Sequence, residues 1–191
     1  MRALPLVVLV GAACSSPTRP ARPAPAPTAD GVAAFATVRA VLQHPRCQNC
    51  HADGDTPLQG DEGRVHLQNV LRGPVGLGAI GAECGTCHGP ANPPDSYGDH
   101  IPPGTIEPWR MPPPARPVAF VGRTPRALCE ELKDPAGHGG KDLDGLRARL
   151  DTPLMTWGWA PGFGRAPIAT PRDEFLAAWD AWAAAGAPCP E

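Results

Sequence analysis

The sequence predicts a mainly α-helical, loop-rich fold in which short helices alternate with long loops and strands are few. Its 191 residues include 27 prolines and 22 glycines, which exceeds the usual share of both. Proline removes a backbone donor and stops helices, so such a chain builds short helices joined by long loops. Apolar residues at helical spacing, preceded by capping residues, then locate the individual helices.

Two helices are predicted in the N-terminal half. The first covers residues 31–43, with Asp30 as its cap, and ends before Pro45. Five apolar residues share one face of this helix: Val32, Phe35, Val38, Val41 and Leu42. A shorter helix is predicted between Asp61 and Gly73 from the spacing of four apolar residues: Val65, Leu67, Val70 and Leu71.

Three helices are predicted in the C-terminal half. Thr124 followed by proline is a capping signal that opens residues 125–133. The next helix is indicated by three leucines: Leu143, Leu146 and Leu150. Thr170 repeats the capping signal before residues 171–185, which Gly186 ends. The apolar stripe of this last helix is expected to pack in the core: Phe175, Leu176, Trp179 and Trp182.

Two copies of Cys-x-x-Cys-His lie in the loops, at residues 47–51 and 84–88. This pattern attaches c-type haem: two cysteines form thioethers to the porphyrin, and the histidine becomes the proximal iron ligand. One helical turn after the first cysteine aligns both sulfurs with one porphyrin edge and brings the histidine under the iron. The predicted thioether residues are Cys47, Cys50, Cys84 and Cys87, and the predicted proximal ligands are His51 and His88.

Two other interpretations of the cysteine pairs compete with haem. Paired Cys-x-x-Cys motifs also make zinc ribbons, but the 33 residues between the pairs exceed the roughly 15–20 of the common spacing. A redox dithiol or a disulfide within each pair is the second alternative. Neither alternative explains a histidine directly after both pairs.

Haem also bears on the predicted core. Only 5% of the residues are aromatic, and each haem is a large apolar plate that the chain can wrap. The predicted fold is therefore a set of short helices and long Pro/Gly-rich loops around two covalently bound haems, and the apoprotein is expected to be poorly folded.

The N-terminus resembles an export signal, as haem c attachment outside the cytoplasm requires. Residues 1–13 combine a short positive start with an apolar stretch too short to span a membrane. Small residues before Cys14 resemble a lipoprotein cleavage box, so Cys14 is the predicted lipidation site, with an ordinary secretory signal as the alternative. Residues 14–30 form a Pro/Ala-rich linker to a domain at 31–191. The predicted location is the bacterial periplasm, with the protein lipid-anchored to the membrane.

Of the seven cysteines, Cys129 and Cys189 belong neither to the two motifs nor to the predicted lipidation site. In an oxidising compartment an even remainder suggests one disulfide, with two unpaired buried thiols as the alternative. The net charge of −2 and the absence of a basic stripe argue against nucleic acid as a partner.

Each proximal histidine leaves one axial position on its iron. A thioether ligand raises the reduction potential and a second imidazole lowers it. Met111 lies before two prolines, as in the sixth-ligand loop of class I cytochromes c, and His66 lies between the haem motifs. These two residues and His100 are the candidate distal ligands. Three others are less favoured: His44, His138 and Met155.

At these residues the chain resembles small di-haem c-type cytochromes of bacterial envelopes, over roughly residues 44–190. Beyond the two motifs the similar positions are 59–62, His66, Val70, 72–73, the run into Cys84, 128–129, 132–135, 157–162 and 186–190. They resemble cytochromes labelled as subunits of isoquinoline 1-oxidoreductase, a molybdenum hydroxylase system. The resemblance implies a protein, not itself an enzyme, that passes electrons from a partner dehydrogenase to the respiratory chain. A di-haem peroxidase and a haem-based small-ligand sensor are the alternatives.

Overall fold

The computed structural model describes residues 29–89, 94, 96, 109–115 and 118–191. Within these residues the helices are α1 (Ala29–Leu42), α2 (Pro45–Gln48), α3 (Pro125–Lys133), α4 (Leu143–Arg149), α5 (Pro153–Trp157) and α6 (Arg172–Ala184). The strands are β1 (Leu58–Gln59), β2 (Arg64–Val65), β3 (Gly78–Ala79) and β4 (Ala82–Glu83). The prediction of short helices, long loops and little strand is confirmed for this part of the chain.

The strands form two separate antiparallel pairs, β1 with β2 and β3 with β4. Leu58 is opposite Val65 in the first pair, and Gly78 is opposite Glu83 in the second. Two short 3₁₀ turns, Leu67–Asn69 and Cys84–Thr86, follow these pairs. None of the helices in the described residues is long and apolar enough to cross a membrane.

The core lies where α1 packs against α6, with α3 beside them. Phe35 of α1 lies with its ring centroid 5.0 Å from that of Trp182 of α6, and both side chains are fully buried. The indole nitrogen of Trp182 donates to the carbonyl oxygen of Pro188 at 3.1 Å, which satisfies its polar atom inside the core. The segment after α6 therefore folds back onto the helices.

A disulfide joins Cys129 of α3 to Cys189 near the C-terminus, with the two Cα atoms 5.5 Å apart. Lys133, at the end of α3, donates to the carbonyl oxygen of Ala187 at 2.8 Å. These two links attach the C-terminal segment to the same helix.

The helical unit has a core of packed side chains. Four buried aromatic residues pack together between its helices: Phe35, Phe175, Trp179 and Trp182. The expectation that haem also contributes to the core of the protein stays a prediction.

The helix predicted between Asp61 and Gly73 is wrong. Its first part is β2, which pairs with β1, and Gln68 in the following turn has φ +63°. Gly60 and Gly63, at φ +75° and +62°, reverse the chain between the two strands. The apolar side chains at this spacing do not form a buried stripe, since Val65 is 63% exposed.

Helix starts were predicted correctly in one case and displaced in two. Thr124 caps α3, and its side chain accepts from Ala127 N at 3.1 Å. The prediction of Asp30 as the first cap is wrong, because α1 begins at Ala29 and Asp30 lies in its first turn. At α6 the cap is Pro171 rather than Thr170. In both cases the sequence signal lies within one residue of the observed boundary.

Candidate haem-binding site

The first haem motif begins on α2. His44 caps this helix, its Nδ1 accepting a hydrogen bond from Arg46 N at 3.2 Å, and Pro45 occupies the first turn. The helical path continues to His51, whose N–H donates to the carbonyl oxygen of Cys47 at 3.1 Å. The motif therefore has the single helical turn that haem attachment requires.

The imidazole of His51 is held from two sides. Its Nδ1 lies 2.8 Å from the carbonyl oxygen of Val118, and its ring stacks on Phe120 with centroids 4.1 Å apart. Burial lowers the pKa of His51 to about 4, although the carbonyl of Val118 opposes the shift. The ring is therefore neutral at neutral pH, with the proton on Nδ1 and Nε2 available as a metal ligand.

The second haem motif follows the β3–β4 hairpin. The N–H of Cys84 donates to the carbonyl oxygen of Leu77 at 2.9 Å, which ties the motif to the hairpin. The N–H of His88 donates to the carbonyl oxygen of Cys84 at 3.0 Å, so this motif also makes one turn. The ring of His88 stacks on Trp109, with centroids 4.4 Å apart and planes 8° apart.

A cavity of about 590 Å³ lies between the two motifs. Such a volume and a mostly apolar lining are typical of cofactor sites. Six potential attachment or ligand residues line it: Cys50, His66, Cys84, Cys87, His88 and Met111. Side chains that the sequence places up to 61 positions apart thus share one cavity, and this set fits thioether attachment and axial ligation of haem.

The cysteine environment disfavours the redox interpretation. Burial raises the pKa of Cys47 to about 12, and burial together with the neighbouring Cys84 raises that of Cys50 to about 11. Reactive dithiols need a lowered pKa, because the thiolate is the nucleophile. These two thiols remain protonated at neutral pH and are poor redox nucleophiles.

The zinc interpretation requires four protein ligands arranged as a tetrahedron. Across the described ranges, no three His, Cys, Asp or Glu side chains are grouped closely enough to hold a metal ion together. This arrangement does not supply the donor set of a structural zinc site.

Met111 is buried and lines the cavity. Its N–H donates to the carbonyl oxygen of Gly76 at 2.8 Å. Gly76 has φ +80°, and a Cβ at that position would collide with the carbonyl oxygen of Met111. A glycine 35 positions earlier therefore allows the close approach that positions Met111.

The other predicted residues divide into three groups. His66 lines the cavity, but it precedes a 3₁₀ turn rather than lying on the predicted helix. His100 and Cys14 lie outside the described residues. The less favoured histidines have other contacts, since His44 caps α2 and the Nε2 of His138 lies 2.8 Å from the carbonyl oxygen of Glu131.

Arg72 is a site residue for which the sequence analysis predicted no role. Its side chain is fully buried and donates to the carbonyl oxygens of Ala52 at 2.9 Å and Pro112 at 2.6 Å. Ala52 follows His51, and Pro112 follows Met111. One guanidinium therefore links the end of the first haem motif to the candidate methionine ligand. No sequence pattern marks this role, because both acceptors are main-chain atoms.

Arg46 is a second buried cation and lies at the cavity wall. It forms an ion pair with Asp61, donates to the carbonyl oxygen of Gly60 at 3.1 Å, and lies 5.7 Å from the ring centroid of Trp157. Asp61 also accepts from Ala166 N at 3.1 Å. These contacts connect the first haem motif, the β1–β2 turn and the loop after α5.

No protein-family model, curated protein or solved structure matches this chain.

Proposed function

We propose that this protein is an exported di-haem c-type cytochrome that carries electrons between a periplasmic or membrane dehydrogenase and the respiratory chain. The observation that carries the proposal is the shared cavity, because both Cys-x-x-Cys-His motifs contribute to its wall. Bound haem would supply reversible uptake and release of one electron per iron. The protein itself is a carrier and not an enzyme.

The surrounding residues suit that task. Cys50, Cys84 and Cys87 line the cavity, which supports thioether attachment of porphyrin there, and the neutral His51 is oriented by Val118 and Phe120. A rigidly held ligand favours electron transfer, since little has to rearrange when the charge on iron changes. The hydrogen bond from Met111 N–H to the carbonyl oxygen of Gly76 also limits rearrangement, because it fixes the loop that carries this candidate distal ligand.

The resemblance to small di-haem cytochromes of bacterial envelopes supports the remaining parts of the proposal. It suggests a dehydrogenase as the electron donor, and it agrees with an export signal at residues 1–13. Lipidation of Cys14 would keep the domain near membrane-bound acceptors while residues 14–30 act as a spacer.

The direct test is to count covalent haem on the full chain produced in a periplasm with haem c maturation. Two haems per chain are expected from intact mass and from haem staining of a denaturing gel. A Cys47→Ala/Cys50→Ala variant and a Cys84→Ala/Cys87→Ala variant should each retain one haem. A His138→Asn variant, which changes a histidine outside the cavity, should retain two. A wild-type chain without covalent haem would contradict the proposal.

Spectroscopy separates an electron carrier from a peroxidase or a gas sensor. A carrier keeps both axial positions filled, so both haems should be low-spin and unchanged by carbon monoxide or cyanide. A high-spin haem that reacts with peroxide would replace the proposal with the peroxidase alternative. Reduction by an artificial donor followed by oxidation with a small cytochrome c would measure electron transfer itself.

A further inference from the structure

We propose that His66 and His88 are the two axial ligands of one iron, so that the haem attached at residues 84–88 has bis-imidazole coordination. This inference depends on the proposed function, because it requires haem at the second motif. It goes beyond that function by assigning one distal ligand to one haem.

The first observation is the separation of the two rings. His66 and His88 both line the cavity, and their ring centroids are 6.5 Å apart. A metal–nitrogen bond is about 2 Å and a ring centre lies about 1 Å from its nitrogen, so two imidazoles on opposite sides of one metal have centroids about 6 Å apart. The observed spacing leaves room for one metal between the rings. The 59° between their planes is compatible, because each ring can rotate about its own metal–nitrogen bond.

The second observation is the hydrogen bonding of His66. Its Nδ1 lies 2.8 Å from the carbonyl oxygen of Leu67. With the proton on Nδ1, this contact leaves Nε2 as the nitrogen that can bind a metal. His51 has the same arrangement, with Val118 in place of Leu67. In both His51, a predicted proximal ligand, and His66, the candidate distal ligand, a backbone carbonyl therefore orients the ring through Nδ1.

The backbone of His66 is also fixed on both sides. Its N–H donates to the carbonyl oxygen of Pro57 at 3.0 Å. The N–H of the next residue, Leu67, is also held in place, because it donates to the side-chain oxygen of Gln59 at 3.0 Å. The β1–β2 hairpin therefore sets the position of His66 before any ligand binds, which reduces the cost of ordering it.

The chemistry of the set points to haem rather than a bare ion. In the described part of the chain no third His, Cys, Asp or Glu joins this pair to complete a metal site. A porphyrin supplies four equatorial nitrogens and needs only two axial ligands from the protein. The imidazoles of His66 and His88 can supply those two ligands.

Met111 is the competing ligand for this iron, because it lines the same cavity. Its loop is tied towards the first motif, however: Pro112 accepts from Arg72, which also holds Ala52 beside His51. The lining that contains Met111 also contains His88, so the variants below decide between His66 and Met111 as the ligand opposite His88. A second imidazole lowers the reduction potential and a thioether raises it, so bis-imidazole coordination gives the haem at residues 84–88 a lower potential than histidine–methionine coordination would.

The test begins with the wild-type holoprotein. Near-infrared magnetic circular dichroism and EPR distinguish bis-histidine from histidine–methionine haem, and we expect one bis-histidine signal per chain. Absence of that signal from a protein with two covalent haems would overturn the assignment and leave the proposed function standing. Absence of covalent haem would be detected first, in the haem count, and would contradict the proposed function itself.

Variants identify the residue. In His66→Ala, one of the two haems should become high-spin and bind carbon monoxide, and added imidazole should restore the low-spin spectrum. In His66→Met, the bis-histidine signal should be lost and the midpoint potential of that haem should shift upwards. The His138→Asn control should leave the spectra and both potentials unchanged. A His66→Ala protein with two low-spin haems and no added imidazole would show that His66 is not a ligand.

Discussion

Arg72 donates a hydrogen bond of 2.6 Å to the carbonyl oxygen of Pro112, a residue 40 positions away in the chain. The same guanidinium donates to Ala52, so it joins two loops that carry candidate haem ligands. The Nε of Arg72 has no hydrogen-bond partner among the described residues. Burial of a guanidinium whose hydrogen bonds are incomplete costs free energy. We therefore expect Arg72 to have a specific role in positioning the two loops.

Replacement of Arg72 by methionine should destabilise the holoprotein. Methionine retains much of the buried volume but leaves the carbonyls of Ala52 and Pro112 without this donor, at a cost of roughly 1.5–3 kcal/mol for each lost charged hydrogen bond. Urea unfolding of the holoprotein measures the change. Arg126→Met is the control, because the ion pair of Arg126 with Glu130 is exposed; it should change stability by less than about 1 kcal/mol. Equal effects in the two variants would contradict the positioning role.

Gly76→Ala should displace the segment that carries Met111. The added methyl group would collide with the carbonyl oxygen of Met111. Gly81→Ala is a matched control, because Gly81 has φ +79°, close to the +80° of Gly76, and open space around its Cβ position. Both variants bear the same backbone strain, so a larger loss of thermal stability in Gly76→Ala measures the collision. If Met111 binds iron, the far-red sulfur-to-iron absorption band should weaken in Gly76→Ala alone.

Removal of the disulfide should lower the stability of the helical unit. Cys129 and Cys189 are 60 positions apart, and the chain-entropy model gives roughly 4 kcal/mol for a loop of that length. A Cys129→Ala/Cys189→Ala variant should therefore unfold at a lower urea concentration, close to the midpoint of the chemically reduced wild type. Free thiols at both positions in the native, unreduced protein would show that the bond does not form.

Phe35→Ala should test the side-chain core between the helices. Phe35 is 1% exposed and packs on Trp182, so truncation should cost about 3–5 kcal/mol. The haem spectra of the folded variant should not change, because Phe35 does not line the cavity. Phe163→Ala is the control: Phe163 is 58% exposed, and its loss should cost much less. A Phe35→Ala variant with altered haem coordination would contradict this separation of core and site.

Glu131→Gln should change how stability depends on pH. Burial raises the pKa of Glu131 above its usual 4.5, although the hydrogen bond from Ala119 N opposes the shift. Between 4.5 and the raised value, the native state binds more protons than the unfolded state, so stability falls as pH rises. Glutamine stays neutral and keeps an acceptor for Ala119. The stability of the variant relative to wild type should therefore increase with pH through this window and then level off.

Urea midpoints measured across that pH window check this prediction. Glu130→Gln removes the same charge from an exposed position on α3, and it corrects for the general effect of losing one carboxylate. A stability difference between Glu131→Gln and wild type that decreases as pH rises would contradict the assigned direction.

Local signals allowed much of the helical fold to be predicted. Thr124 with the following proline located α3, and the spacing of Phe175, Trp179 and Trp182 located the buried face of α6. These predictions succeeded because capping and amphipathic spacing depend on residues within a few positions of one another. The predicted helix around Val65 failed because the glycines before it favour a chain reversal, and β1 supplies the backbone partners.

The composition of the candidate site was largely visible in the sequence. Both Cys-x-x-Cys-His motifs, His66 and Met111 were identified from residue type and order, since thioether attachment requires a fixed local spacing. The contacts around them were not visible. Three contacts join residues that are distant in sequence: Val118 with His51, Gly76 with Met111, and Trp109 with His88. The first two are made through main-chain atoms and the third through ring stacking, and no motif records either kind of contact.

The sequence by itself determined the class of fold, the two Cys-x-x-Cys-His motifs and the set of candidate ligands, because each of these depends on short-range spacing and residue chemistry. Only the tertiary structure decided that residues of both motifs line one cavity and that the rings of His66 and His88 lie 6.5 Å apart. It also decided that Arg72 links the loops after His51 and Met111. The physical reason is that these relationships arise from hairpins, main-chain hydrogen bonds and packing between distant segments, whose register no local pattern specifies.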